Sequence, residues 1–159
     1  MTGVRVRAAA VIAVAILAAP RAAQVASVAL PFELVNRHVM LPVSVNGGAP
    51  LSFIFDTGDR VAILDLDRAR TLGLTLGREV RIGGVGSSPA AGNMLGGTTF
   101  TIPGLPRFSQ PVVLALPLAR LAPRLGHDLD GILGADFIKE FVVEIDYAAR
   151  VLRLHDRAA

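Results

Sequence analysis

Cysteine is absent from the 159 residues. That excludes disulfide staples, thiolate metal ligands and a thiol nucleophile, and it leaves the redox compartment open. Tryptophan is absent, tyrosine occurs once, and aromatic residues make up 5 %. A chain so poor in rings has little on which to stack bases, so nucleic acid is not an expected partner. The three histidines, His38, His127 and His155, are widely spaced. None falls in an H-x-x-E-H-like pattern, so no metal is expected, and His127-Asp128 reads as a solvated loop. No G-x-S-x-G marks a serine hydrolase, and no Gly-Lys-Ser/Thr follows the glycines to make a phosphate loop. No cofactor is expected.

What remains is an apolar chain of one-domain size. Hydrophobic residues make up 52 %, too many for a disordered segment. The net charge is +3, from 16 basic and 13 acidic residues. Arg5, Arg7 and Arg21 precede any acidic residue, and without them the remainder carries no net charge. The high pI therefore says little about partners. Residues 1–27 read as a secretory signal or an N-terminal anchor. Arg5 and Arg7 form the charged start, and Ala8 to Ala19 is an apolar run of 12 residues, short for a membrane span. The small residues at 22–27 hold no clean Ala-x-Ala. The expectation is export to the periplasm or medium, or a membrane tether if the segment is retained. Residues 28–159 then form the working domain.

That domain reads as mostly β. Strands are expected near 31–35, 38–46, 50–55, 79–83, 98–102, 111–115 and 141–154. Short helices are expected near 65–72 and 134–140. Asn46-Gly47-Gly48 is a hairpin signal. Asp65 is placed to cap the first helix and Gly73 to close it. Glycines crowd the stretch from Val80 to Gly97, and residues 83–92 read as a hairpin.

The chemistry concentrates at one place. Leu51-Ser52-Phe53-Ile54-Phe55 reads as a buried strand, and it runs straight into Asp56-Thr57-Gly58. A carboxylate at the end of a buried strand is costly unless it is hydrogen-bonded or shares a proton. Taken alone, the triplet also suits an Asx-type turn. A second stretch, Asp130-Gly131-Ile132-Leu133-Gly134-Ala135-Asp136-Phe137-Ile138, begins 74 residues after Asp56.

In this order, the two stretches resemble the retropepsin-like aspartic proteases. The tail, Phe141 to Tyr147 with Val151 to Leu154 behind it, is similar to the closing hairpin of the bacterial single-domain members. The resemblance covers roughly residues 30–156. It implies a closed β-barrel with one or two short helices and a single Asp-Thr-Gly lobe. It implies an aspartic endopeptidase acting on peptide or protein substrates, with Asp56, Thr57 and Gly58 as the catalytic triplet. It also implies a homodimer, because one chain supplies only one of the two aspartates. In such a pair, the ionised carboxylate takes a proton from water and the protonated one polarises the scissile carbonyl. Gly83, Gly84, Val85 and Gly86 would belong to a flap over the substrate, with Ile132 and Gly134 lining the site. The edges at Leu30–Val35 and Val151–Leu154 are expected to carry the interface.

The chain departs from the family pattern after the triplet. Asp59 stands where a small residue is usual, and Arg60 follows it. Arg60 is expected to pair with Asp136, leaving Asp59 directed toward solvent or the substrate pocket. A further carboxylate beside the site also admits a second expectation, a domain that binds peptides or assembles without catalysis.

Overall fold

The computed structural model describes residues 27–83 and 89–157. The leader or anchor expectation, as far as residue 26, falls outside them. So do Gly84, Val85 and Gly86. In chain order the elements begin with β1 (Ser27–Pro31), β2 (Glu33–Val35), β3 (His38–Val45), β4 (Pro50–Phe55), β5 (Ala62–Asp65) and α1 (Leu66–Thr71). Next come β6 (Leu76–Ile82), β7 (Ala90–Leu95), β8 (Thr99–Thr101), β9 (Phe108–Ser109), β10 (Val113–Leu116) and α2 (Ala122–Leu125). The last are β11 (Gly131–Leu133), α3 (Ala135–Ile138), β12 (Phe141–Asp146) and β13 (Val151–Asp156).

The large sheet runs in the order β6-β7-β10-β5-β11-β4-β3-β8-β9, with β2 added on β3. Its hydrogen-bonded path is open, from β6 at one end to β9 at the other. The expected closed barrel is therefore replaced by an open, mostly β architecture among the described residues. A separate three-stranded sheet runs β1-β13-β12.

The middle of the large sheet is buried on both faces. Phe53, Leu64 and Leu133 belong to one apolar cluster. Their chain neighbours Ile54, Ile63 and Ile132 belong to another. Successive side chains of a strand point to opposite faces, so an unbroken apolar run fits only a strand covered on both sides. The runs Phe53-Ile54, Ile63-Leu64 and Ile132-Leu133 are of that kind. The first cluster also holds a chain of ring contacts, Phe53–Phe100–Phe108–Phe137–Phe141, with centroids 4.8 to 6.1 Å apart. It links β4, β8, β9, α3 and β12, so the few aromatics of this chain are spent in its core.

Two expectations change at the termini. The expected strand at 31–35 is broken at buried Phe32, whose amide bonds the carbonyl of Arg150 at 3.0 Å. On one side β1 pairs with β13, and on the other β2 pairs with β3. The chain changes sheets there. The C-terminal strand β13 is also no edge, because β1 and β12 flank it on both sides. Val151–Leu154 therefore has no unpaired backbone to offer a partner. The free edges of that sheet are β1 and β12.

The turn and cap signals hold. Asn46 and Gly47 both take positive φ, 48° and 78°. Asp65 Oδ1 accepts from the amides of Asp67 and Arg68, at 3.0 and 3.1 Å, and caps α1. Gly73 follows the helix with φ 67°.

Candidate active site

The strand β4 delivers Asp56, and β11 fixes the place where it arrives. The two lie parallel, with Ile132 opposite Ile54 and Leu133 opposite Phe55. The Asp56 amide donates to the Leu133 carbonyl at 3.0 Å. Gly134 then passes directly behind the loop. A Cβ there would stand 2.5 Å from the Val61 oxygen and 2.8 Å from that of Asp59, so only glycine fits. Beyond it, Ala135 donates to the Asp59 carbonyl at 2.7 Å, and Asp136 to that of Arg60 at 3.0 Å. Residues 56–61 are thus held by β11 and by the start of α3. Inside the loop the Gly58 amide donates to Asp56 Oδ1 at 2.8 Å. A Cβ on Gly58 would lie 3.1 Å from the same oxygen, a tight approach that glycine relieves. Thr57 is exposed, and its hydroxyl makes no hydrogen bond among the described residues.

Asp59 is half-buried rather than turned out to solvent. Burial first, and the charge of Asp56 second, hold its carboxyl above the ordinary value of 3.8. Its carboxyl makes no hydrogen bond or ion pair among the described residues. The expected Arg60–Asp136 pair is not formed. Asp136 Oδ1 is taken by Lys139 Nζ at 2.8 Å, one helical turn away, while Arg60 is exposed. Three residues is the natural reach of a side-chain pair on a helix, and the Asp136 amide uses the Arg60 backbone instead.

Sequence reasoning missed a second carboxylate beside the same pair of strands. Asp130 is buried just before β11. Its Oδ2 accepts from the Ser52 amide at 2.9 Å, and its Oδ1 from Arg68 Nε at 2.6 Å. Asp130 therefore ties β4, α1 and β11 together. Its signal was the one used for Asp56, a carboxylate against a buried strand. Gly131 was overlooked in the same way: a Cβ there would stand 2.2 Å from the Phe53 ring.

The remaining expected residues scatter. Ile132 is buried in the second cluster with Met40 and Ile54. Gly83 is exposed at the end of β6. The β6–β7 hairpin is antiparallel, as expected. Gly92, at the end of the expected hairpin, is tightly packed: a Cβ would stand 2.2 Å from the Ala115 carbonyl. A cavity of about 540 Å³ lies between Leu105, Phe108, Phe137 and Phe141 and does not reach Asp56.

A strand ending in Asp-Thr-Gly, paired in parallel with a Gly-Ile-Leu-Gly strand that braces its loop, defines an aspartic-protease lobe. Residues 41–137 match the family model described as aspartyl protease, and the chain belongs to that family. Among solved structures it is similar to a retropepsin-like aspartic protease from Rickettsia conorii. The TM-score is 0.52 and the identity 21 %, over 84 % of this chain and 92 % of that one. The fold is retropepsin-like. No curated protein matches the chain.

Proposed function

We propose that the chain is an aspartic endopeptidase whose site is completed by a second copy of itself. The observation that carries this reading is the braced Asp56 loop, which occurs once. One Asp-Thr-Gly supplies one carboxylate, and the reaction needs two. A two-fold axis beside the loop would bring a second Asp56 against the first. One carboxylate, ionised, takes a proton from the attacking water. The other, protonated, gives its proton to the scissile carbonyl; the first then passes the proton taken from water to the leaving amine, and the second recovers its own as the carbonyl re-forms. Gly58 holds Asp56 Oδ1 through its amide, which orients the carboxylate and leaves its second oxygen for the partner and water. The unsatisfied Thr57 hydroxyl is suited to bracing the two loops against each other. Ile132 and Ile54 form the buried apolar floor behind the Asp56 loop. The peptide or protein substrate is met outside the cytoplasm if residues 1–27 act as an export signal, or at the membrane if they remain as an anchor.

A second reading rests on Asp59. A half-buried carboxylate beside Asp56 adds a like charge where a small residue is usual, and it favours a domain that binds peptides or assembles without hydrolysing them. Two measurements separate the readings. Cleavage of an unfolded protein such as casein is expected from the parent and not from Asp56→Asn. Sedimentation equilibrium is expected to find a dimer. A monomer at high concentration, or equal cleavage by both proteins, overturns the first reading. A rise in cleavage on Asp59→Ala supports the second.

A further inference from the structure

The loop that carries Asp56 also presents a carboxylate with no partner. We propose that Asp59 selects substrates, by receiving a cationic side chain, lysine or arginine, next to the scissile bond. This rests on the peptidase reading of the same site.

Three observations support it. The first is position. Asp59 lies three residues after Asp56 on a loop that is held rigidly. Its own carbonyl is pinned by the Ala135 amide at 2.7 Å, and Gly134 closes the space behind it. Its backbone is therefore fixed relative to Asp56. The second is its unmet valence. Of the nearby carboxylates, Asp130 is satisfied by Arg68 and the Ser52 amide, and Asp136 by Lys139. Asp59, half-buried, has neither hydrogen bond nor ion pair among the described residues. The third is that no cation among the described residues pairs with Asp59. Arg60 is exposed and forms no ion pair there, and Lys139 is engaged by Asp136. A half-buried carboxylate beside a second one is unfavourable until a positive charge arrives. A bound lysine or arginine supplies that charge, and does so only when the peptide is seated. In a dimer each site carries two copies of Asp59, one on either side of the scissile bond. Acidic side chains at those positions would be rejected by the same field.

The test uses the purified dimer and three peptides that differ only at the residue flanking the scissile bond: arginine, glutamine or glutamate. The parent is expected to cleave the arginine peptide with a kcat/KM about tenfold or more above that of the glutamine peptide, the scale of a charge-assisted hydrogen bond. The glutamate peptide should be poorer still. Asp59→Asn keeps the shape and removes the charge, and it should bring the arginine-to-glutamine ratio close to one. Asp59→Lys should invert the preference toward glutamate, which a merely structural residue would not do. Equal cleavage of all three peptides by the parent overturns the inference, as does an arginine preference that persists in Asp59→Asn. Should the parent cleave none of them, the peptidase reading fails separately. Calorimetric binding of the same three peptides, in reduced-amide form, then decides: an arginine preference lost in Asp59→Asn upholds the inference, and equal or undetectable binding ends it.

Discussion

Two pairs of aspartates sit at the ends of neighbouring strands of one sheet, and their surroundings differ. Asp65 and Asp130 are buried, at 4 % and 6 % exposure, and fully occupied. Asp65 accepts four backbone amides, from Asp67, Arg68, Leu118 and Ala119. Asp130 accepts one amide and one guanidinium. Asp56 and Asp59 are less buried and nearly empty-handed, with one amide on Asp56 and none on Asp59. A carboxylate whose acceptor sites are filled by backbone is an anchor. A carboxylate left open beside a like charge is poised to take a proton, a water or a cation. Sequence alone shows four aspartates beside apolar strands. Occupancy sorts them into two that are filled and two that are open.

The comparison predicts opposite outcomes for similar substitutions. The largest effect is on activity. Asp56→Asn should lower peptide hydrolysis by about a thousandfold or more, the scale of general acid–base catalysis. Its thermal midpoint should stay close to the parent's, because Gly58 still finds an acceptor oxygen. A midpoint lowered as far as by Asp65→Ala would make Asp56 an anchor too.

Next comes Asp65→Ala. It strands four backbone donors at once, the helix cap among them, and should destabilise by about 2–4 kcal/mol in chemical denaturation. Little change would mean that water reaches those amides and that burial is not what makes Asp65 an anchor.

Gly134→Ala tests the brace behind the loop of Asp56 and Asp59. A methyl pressed against the Val61 and Asp59 carbonyls must push the loop outward, at about 1–3 kcal/mol, and should lower kcat beyond what the stability loss explains. Unchanged kcat would show that the loop's position is not held from behind.

The smallest effect belongs to Asp59. Its folded carboxyl titrates above the ordinary 3.8, through burial first and Asp56 second. Between 3.8 and the raised value the folded protein binds more protons than the unfolded chain. Stability from this group therefore falls as pH rises through that window. Asp59→Asn should raise the unfolding midpoint near neutral pH and leave it unchanged at about pH 3. Solvent still screens the group, so the gain should stay below about 1 kcal/mol. A gain of equal size at both pH values would point to shape rather than charge.

Much of this was legible in the chain. The apolar run into Asp56, the later Ile132-Leu133-Gly134, the cap at Asp65 and the turn at Asn46-Gly47 are local signals, and each lies where it was read. The misreadings share one cause. Arg60 and Asp136 are complementary charges, yet Lys139 is three residues from Asp136 on the same helix and closes the pair at lower cost in chain order. Gly92 read only as the end of a hairpin, because glycine alone does not tell freedom from crowding. Val151–Leu154 looked like an edge because a strand carries no mark of how many neighbours it has.

The sequence by itself determined the mostly β class and the strand that ends in the carboxylate, because period, turn chemistry and capping act within a few residues. It also placed the triplet and the glycine-bounded strand that meets it. Only the tertiary structure decided which aspartates are satisfied and which are left open. It also set the neighbours of each strand and left the sheet unclosed. Those outcomes depend on partners 50 or more residues away, such as Asp65 with Leu118, 53 apart, and Ser52 with Asp130, 78 apart. No local pattern of residue types carries that distance, because a hydrogen bond to a remote amide is chosen by packing.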